Sequence, residues 1–114
     1  MGMVSENAPS VRVDFDVAGV IAEASAYAGA IVAGDLKLAA TYLTEGPKKR
    51  ISPVLEALPR AITGAEVVSL TIPDSGRSTT ITRYFGEGDP VLLLAVWIET
   101  DQGLMIREQR VAGL

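Results

Sequence analysis

Apolar positions along the chain change period once, close to Gly64. Before it they recur at helical spacing. From Val17 to Ala33 the chain is Ala-rich, with Val20, Ala24, Tyr27 and Ile31 on one stripe and Ile21, Ala28 and Val32 beside it. This spacing predicts a long helix ended by Gly34 as its C-cap. Asp35 then caps a second helix over Leu36–Leu43, whose apolar positions are Leu36, Ala39, Ala40 and Leu43, and Gly46-Pro47 stops it. A third helix spans Pro47–Leu58, with Ile51, Val54, Leu55 and Leu58 on one face. Pro53 lies inside it, so a start at Ser52 that places this proline in the first turn is an alternative; Pro59 marks the end. Ahead of the first helix, Val11, Val13, Phe15 and Val17 alternate with Arg12, Asp14 and Asp16. Two readings fit: a short extended segment, or Asp16 as N-cap of the following helix with Phe15 as its staple.

After Gly64 the grammar is period two with β-branched residues. Strands are expected at Ala65–Ile72, Arg77–Phe85, Val91–Glu99 and Leu104–Val111. The connections Pro73–Gly76, Gly86–Pro90 and Thr100–Gly103 are rich in turn residues and short enough for hairpins. The expected fold is therefore α+β: amino-terminal helices packed on a four-stranded antiparallel meander. Residues 1–10 read as a disordered lead and residues 11–114 as a single domain. The third strand is apolar on both faces through Val91–Val96. A sheet covered by helices on one side should carry polar residues on the other. The simplest account is a second copy of the chain packed on the back of the sheet, giving a homodimer.

Composition narrows the chemistry. With 114 residues, 48% of them hydrophobic, the chain can bury a sizeable core. The net charge of −4 argues against nucleic acid as partner, and Lys48-Lys49-Arg50 is read as a solvated helix start. No stretch of about 18 apolar residues is uninterrupted, so no membrane span is expected. Met1–Ser10 has neither the basic nor the apolar segment of a signal peptide. Cysteine is absent, which suits a reducing cytoplasm. Histidine is absent too, which excludes a Ser-His-Asp triad and any His-ligated metal within the chain. No metal or other cofactor is expected. Proton transfer at neutral pH would fall to a carboxylate, Tyr or Lys with a shifted pKa.

The run Tyr27–Gly46, with its helix-Gly34-Asp35-Leu36-helix junction, resembles the opening of the nuclear transport factor two-like superfamily. The later part fits as well: a further helix, a meander, and a final hairpin in which Trp97-Ile98-Glu99 turns through Gly103 into Met105-Ile106-Arg107. The likeness covers residues 17–112. It implies a cone-shaped fold, the cystatin-like fold, with helices over the concave side of a curved sheet and a pocket between them. The superfamily includes ketosteroid isomerases, polyketide cyclases, scytalone dehydratases and binding or assembly domains. The isomerases place a tyrosine on the first helix, and Tyr27, seven residues before Gly34, matches that spacing. Their general-base aspartate falls at Thr44-Glu45-Gly46-Pro47 and their second acid around Leu94-Ala95; neither is matched, so the isomerase dyad is not carried over. The chain resembles uncharacterised or binding members more than the enzymes.

Five residues are the expected ligand contacts: Tyr27, Tyr42, Leu93, Trp97 and Glu99. Tyr27 and Tyr42 read as pocket hydroxyls or as core aromatics whose hydroxyl finds a partner. Trp97 and Glu99 lie two apart on one strand face with Leu93 and Ala95; a carboxylate against an indole can have its pKa raised into the acid–base range. The competing reading has Glu99 at the wet end of the strand, paired with Arg107 or Arg110. Glu66, Arg83 and Glu108 are lesser candidates of the same kind. Asp35 is a cap, Gly86-Glu87-Gly88 a turn, and Glu87 with Asp89 lacks calcium-loop spacing. The leading expectation is a homodimer that binds a small apolar molecule or a partner. A lyase or isomerase acting through Tyr27 and Glu99 is one alternative. The other is a structural assembly domain whose interior is filled by its own side chains.

Overall fold

Helix α1 runs from Ala8 to Ala33. The computed structural model describes residues 8–72 and 77–112, with side chains from residue 18 onward. The segment expected to be extended over Val11–Val17 is thus helical, and Asp16 lies inside the helix instead of capping it. Nothing between Ser10 and Gly19 breaks a helix. Once the Ala-rich part nucleates, each added residue gains a backbone bond, and propagation overrides the weak period-two pattern. Residues 1–7 of the expected lead and the turn at residues 73–76 lie outside the described residues.

The helical segment closes as its sequence requires. Gly34 takes φ 74°. Its N–H donates to Ile31 O (3.1 Å), and Asp35 N–H donates to Ala30 O (2.9 Å). These are the two bonds of a Schellman ending, which needs a left-handed residue at that point. Asp35 Oδ1 accepts from Leu38 N (3.1 Å) and starts α2, Leu36–Ala40. The expected third helix is two short ones, α3 (Glu45–Lys49) and α4 (Ile51–Ala57), broken at Arg50. An unbroken helix would drive the Pro53 ring against the Lys49 carbonyl; restarting at Ile51 puts the proline in the first turn. Leu58 then turns extended, as a residue before proline prefers.

The four strands are β1 (Arg60–Thr71), β2 (Arg77–Glu87), β3 (Val91–Thr100) and β4 (Gly103–Ala112). They form one antiparallel sheet in the order β1-β2-β3-β4. Strand β1 begins five residues earlier than expected, because an irregularity between Arg60 and Gly64 accommodates the extra length. Gly86 makes room for it: a Cβ there would stand 2.6 Å from Arg60 O and 3.0 Å from Ala61 O. Two further register slips fall at Val67/Ser69 on β1 and opposite Val96/Trp97 on β4.

One sheet face packs under α1, where Val20, Ala24, Tyr27, Ala28 and Ile31 are buried at helical spacing. It meets them with Tyr84, Leu93, Ala95, Trp97 and Ile106, and with the buried hydroxyl residues Ser78, Thr80 and Thr82 of β2. The opposite face carries Ile81, Phe85, Leu92, Leu94, Val96 and Ile98, all partly exposed. Arg83 and Glu66 pair on it at 2.9 Å. Among the described residues no helix is long and apolar enough to cross a membrane.

Candidate functional site

Tyr27, on the buried stripe of α1, lies at the centre of an aromatic cluster. Its ring meets Tyr42 edge-to-face at 5.9 Å and Trp97 at 6.4 Å, and Tyr42 meets Trp97 at 6.3 Å. Such pairs are each worth about 0.5–1.5 kcal/mol beyond the area they bury. Two of the polar atoms that the core rings bring with them find partners, while the hydroxyl of the buried Tyr84 has none. Trp97 Nε1 donates to Thr80 Oγ1 (3.0 Å). The Tyr27 hydroxyl donates to Gln109 Oε1 (2.9 Å). Burial pushes the Tyr27 hydroxyl up to about 12, with the Gln109 bond acting weakly the other way. At neutral pH Tyr27 is therefore a fixed donor. Burial also raises the Tyr84 hydroxyl, and negative charge on Tyr27 would raise it further.

Of the five residues expected to line a pocket, the structure brings Tyr27, Tyr42 and Trp97 together and buries Leu93 on the same sheet face. Glu99 shares that face but is exposed at the end of β3, opposite Leu104. It is paired with neither Arg107 nor Arg110. The carboxylate and the tyrosine hydroxyl, needed together for acid–base chemistry, are not assembled into one site. None of the five lines the clefts at α3–α4/β4, α1/β1 or the β3–β4 hairpin. The space under α1 at this point is occupied by the aromatic cluster itself.

A cleft of about 540 Å³ opens between α3–α4 and the edge strand β4. Its apolar walls are Pro47, Pro53, Val54, Ala57 and Val111, and its polar members are Arg50, Arg107, Glu108, Gln109 and Arg110. The volume is in the range of small-molecule sites. Local folding explains why the cleft exists. Residues Tyr42–Thr44 are stitched to the β4 edge: Ile106 N–H donates to Tyr42 O (2.7 Å), and Thr44 N–H and Oγ1 both donate to Ile106 O (3.0 Å each). Beyond Ile106 the break at Arg50 and the proline restart turn α4 along β4, leaving a gap opposite residues 107–111.

Gln109 joins the cleft to the core. It lines the cleft, its Oε1 holds Tyr27, and its Nε2 is buried without a partner. A buried amide end left unmatched is uncommon and marks a place where a polar atom fits. Sequence reasoning overlooked Gln109, although a signal was present. Leu104 and Ile106 share a face by alternation, whereas Val111 is an odd number of residues away. Both sets can face inward only if the strand slips by one residue. The slip occurs: Glu108 faces Val96 while Ile106 faces Trp97, with Arg107 extra between them. That turns Gln109 inward, opposite Ala95.

No protein-family model, no curated protein and no solved structure matches this chain in comparisons with known proteins.

Proposed function

We propose that the chain is a small-molecule-binding domain of the nuclear transport factor two-like type, non-catalytic, acting in the cytoplasm as a homodimer joined through its sheet. Its ligand sits in the cleft between α3–α4 and β4. The observation that carries the reading is that cleft, apolar on its helical wall, with Gln109 linking it to the Tyr27 cluster. The family reading is supported by element order: a long helix, the Gly34-Asp35 junction, further helices and an antiparallel meander. In this reading the cone is closed by its own aromatic residues and the ligand enters from the side.

The non-catalytic reading is supported by the state of the would-be catalytic groups. The Tyr27 hydroxyl is engaged by Gln109, and Glu99 faces solvent at the strand end. The filled interior equally favours a second reading, a purely structural assembly domain. N-phenyl-1-naphthylamine, an uncharged fluorescent probe, separates the two. The binding reading expects saturable emission enhancement with the wild type and loss of it in Ala57→Trp, which fills the cleft from an exposed position. No saturable binding, or binding that Ala57→Trp leaves intact, rules out the cleft.

A further inference from the structure

The chain carries ten basic residues against fourteen acidic ones, yet Arg50 and Arg107 both line one cleft, whose other charged members, Glu108 and Arg110, stand in register with the outward-facing Val96 and Leu94. Among the described residues the two ion pairs are Arg83–Glu66 and Lys48–Glu45, so neither Arg50 nor Arg107 is neutralised by a carboxylate. Positive charge is thus concentrated here against the overall balance. The remaining hydrogen-bonding capacity has the same sense. Gln109 spends its acceptor on Tyr27, and what is left unpartnered is the Nε2 donor. Donors and cations therefore outnumber acceptors, over walls made of Pro47, Pro53, Val54, Ala57 and Val111.

Resting on the reading of this cleft as the ligand site, we propose that its ligand is an apolar monocarboxylate, an aromatic or branched acid whose carboxylate is held by Arg50 and Arg107 while its body lies on Val54 and Val111. Guanidinium groups suit this task because their planar fork matches a carboxylate with two parallel bonds. A phosphate monoester fits less well. The lining offers no serine or threonine hydroxyl to its extra oxygens. An amine is repelled by the arginines.

The test compares 2-naphthoate, its neutral primary amide and 2-naphthyl phosphate by isothermal titration on the full chain, at low and at 0.5 M salt. The wild type should bind naphthoate at least about tenfold more tightly than the amide, as a charge-assisted bond implies. Naphthyl phosphate should bind more weakly than naphthoate. Arg50→Gln/Arg107→Gln, both at exposed positions, should remove the preference by bringing the affinity for the acid down to that for the amide, and 0.5 M salt should reduce the preference. If acid and amide bind equally, and both are lost in Ala57→Trp, the cleft stands and the charge inference falls. If the phosphate binds most tightly, the carboxylate class falls. If neither the acid nor N-phenyl-1-naphthylamine binds, the cleft reading itself falls. Retained Trp97 emission in each variant verifies that the core is intact.

Discussion

At the scale of single residues, the bond between Tyr27 and Gln109 links the core to the cleft. Tyr27→Phe leaves Gln109 without a partner at either end of its amide. The expected loss is about 1–3 kcal/mol in chemical denaturation. Because the two residues form one unit, Tyr27→Phe/Gln109→Leu should lose less than the sum of the single changes, and a double-mutant cycle reads the difference. Ionisation gives an independent check. The folded protein holds the Tyr27 proton up to about pH 12, against an ordinary value of 10.0. Since the folded value is the raised one, its contribution is complete below pH 10 and disappears as pH climbs through 12. At about 1.4 kcal/mol per unit, the loss over that window is about 3 kcal/mol. Denaturation midpoints measured from pH 8 to 12 should fall for the wild type and fall less for Tyr27→Phe. Equal slopes would show that Tyr27 is not the group responsible.

Among the elements, two glycines distinguish packing from propensity. Gly86 lies where the start of β1 crosses β2, and a Cβ there would press on the backbone oxygens of Arg60 and Ala61. Backbone cannot step aside as a side chain can, so Gly86→Ala should cost about 1–3 kcal/mol, the range of overpacking. Gly29, exposed within α1, has nothing within 4 Å of such a Cβ. Gly29→Ala should stabilise by about 0.5–1 kcal/mol through helix propensity. Opposite signs in thermal melts are expected. The elements also show what a sequence can disclose. The buried stripe of α1, the Gly34-Asp35 junction and the meander are legible because each rests on local spacing or a local cap. The early start of β1 was not, since it depends on Gly86 across the hairpin. The helical state of Val11–Val17 was not either, because period two in seven residues is weaker than the helix that propagates into it. Gln109 was hidden because alternation was read without the slip at Arg107. Tyr27, Tyr42, Leu93 and Trp97 were legible as inward-facing, but whether they line a void or fill it depends on three rings converging from separate elements.

For the whole molecule, the apolar outer face of β2 and β3 is the feature that calls for a second copy. Leu92, Leu94, Val96 and Ile98 run down its centre, with Glu66, Arg83, Glu108 and Arg110 about them. A patch carrying both signs of charge around an apolar middle can match its own image across a two-fold axis. Sedimentation at micromolar concentration is expected to give a dimer, and a monomeric wild type would overturn this. Val96→Lys places a charge in the centre of the proposed contact and should weaken association at least about a hundredfold, with unchanged far-UV circular dichroism. The single extra residue on β4 ties this outer patch to the cleft. Strict alternation from Ile106 would have turned Glu108 and Arg110 toward α1 and sent Gln109 to the outside. With Arg107 slipped out of phase, the charged pair goes to the outer sheet face beside Leu94 and Val96 and the amide goes to the aromatic rings. The proposed ligand cleft and the proposed subunit contact are therefore keyed to the same half-step of one strand, and lengthening that strand by one residue would exchange the side chains that face them in a single stroke.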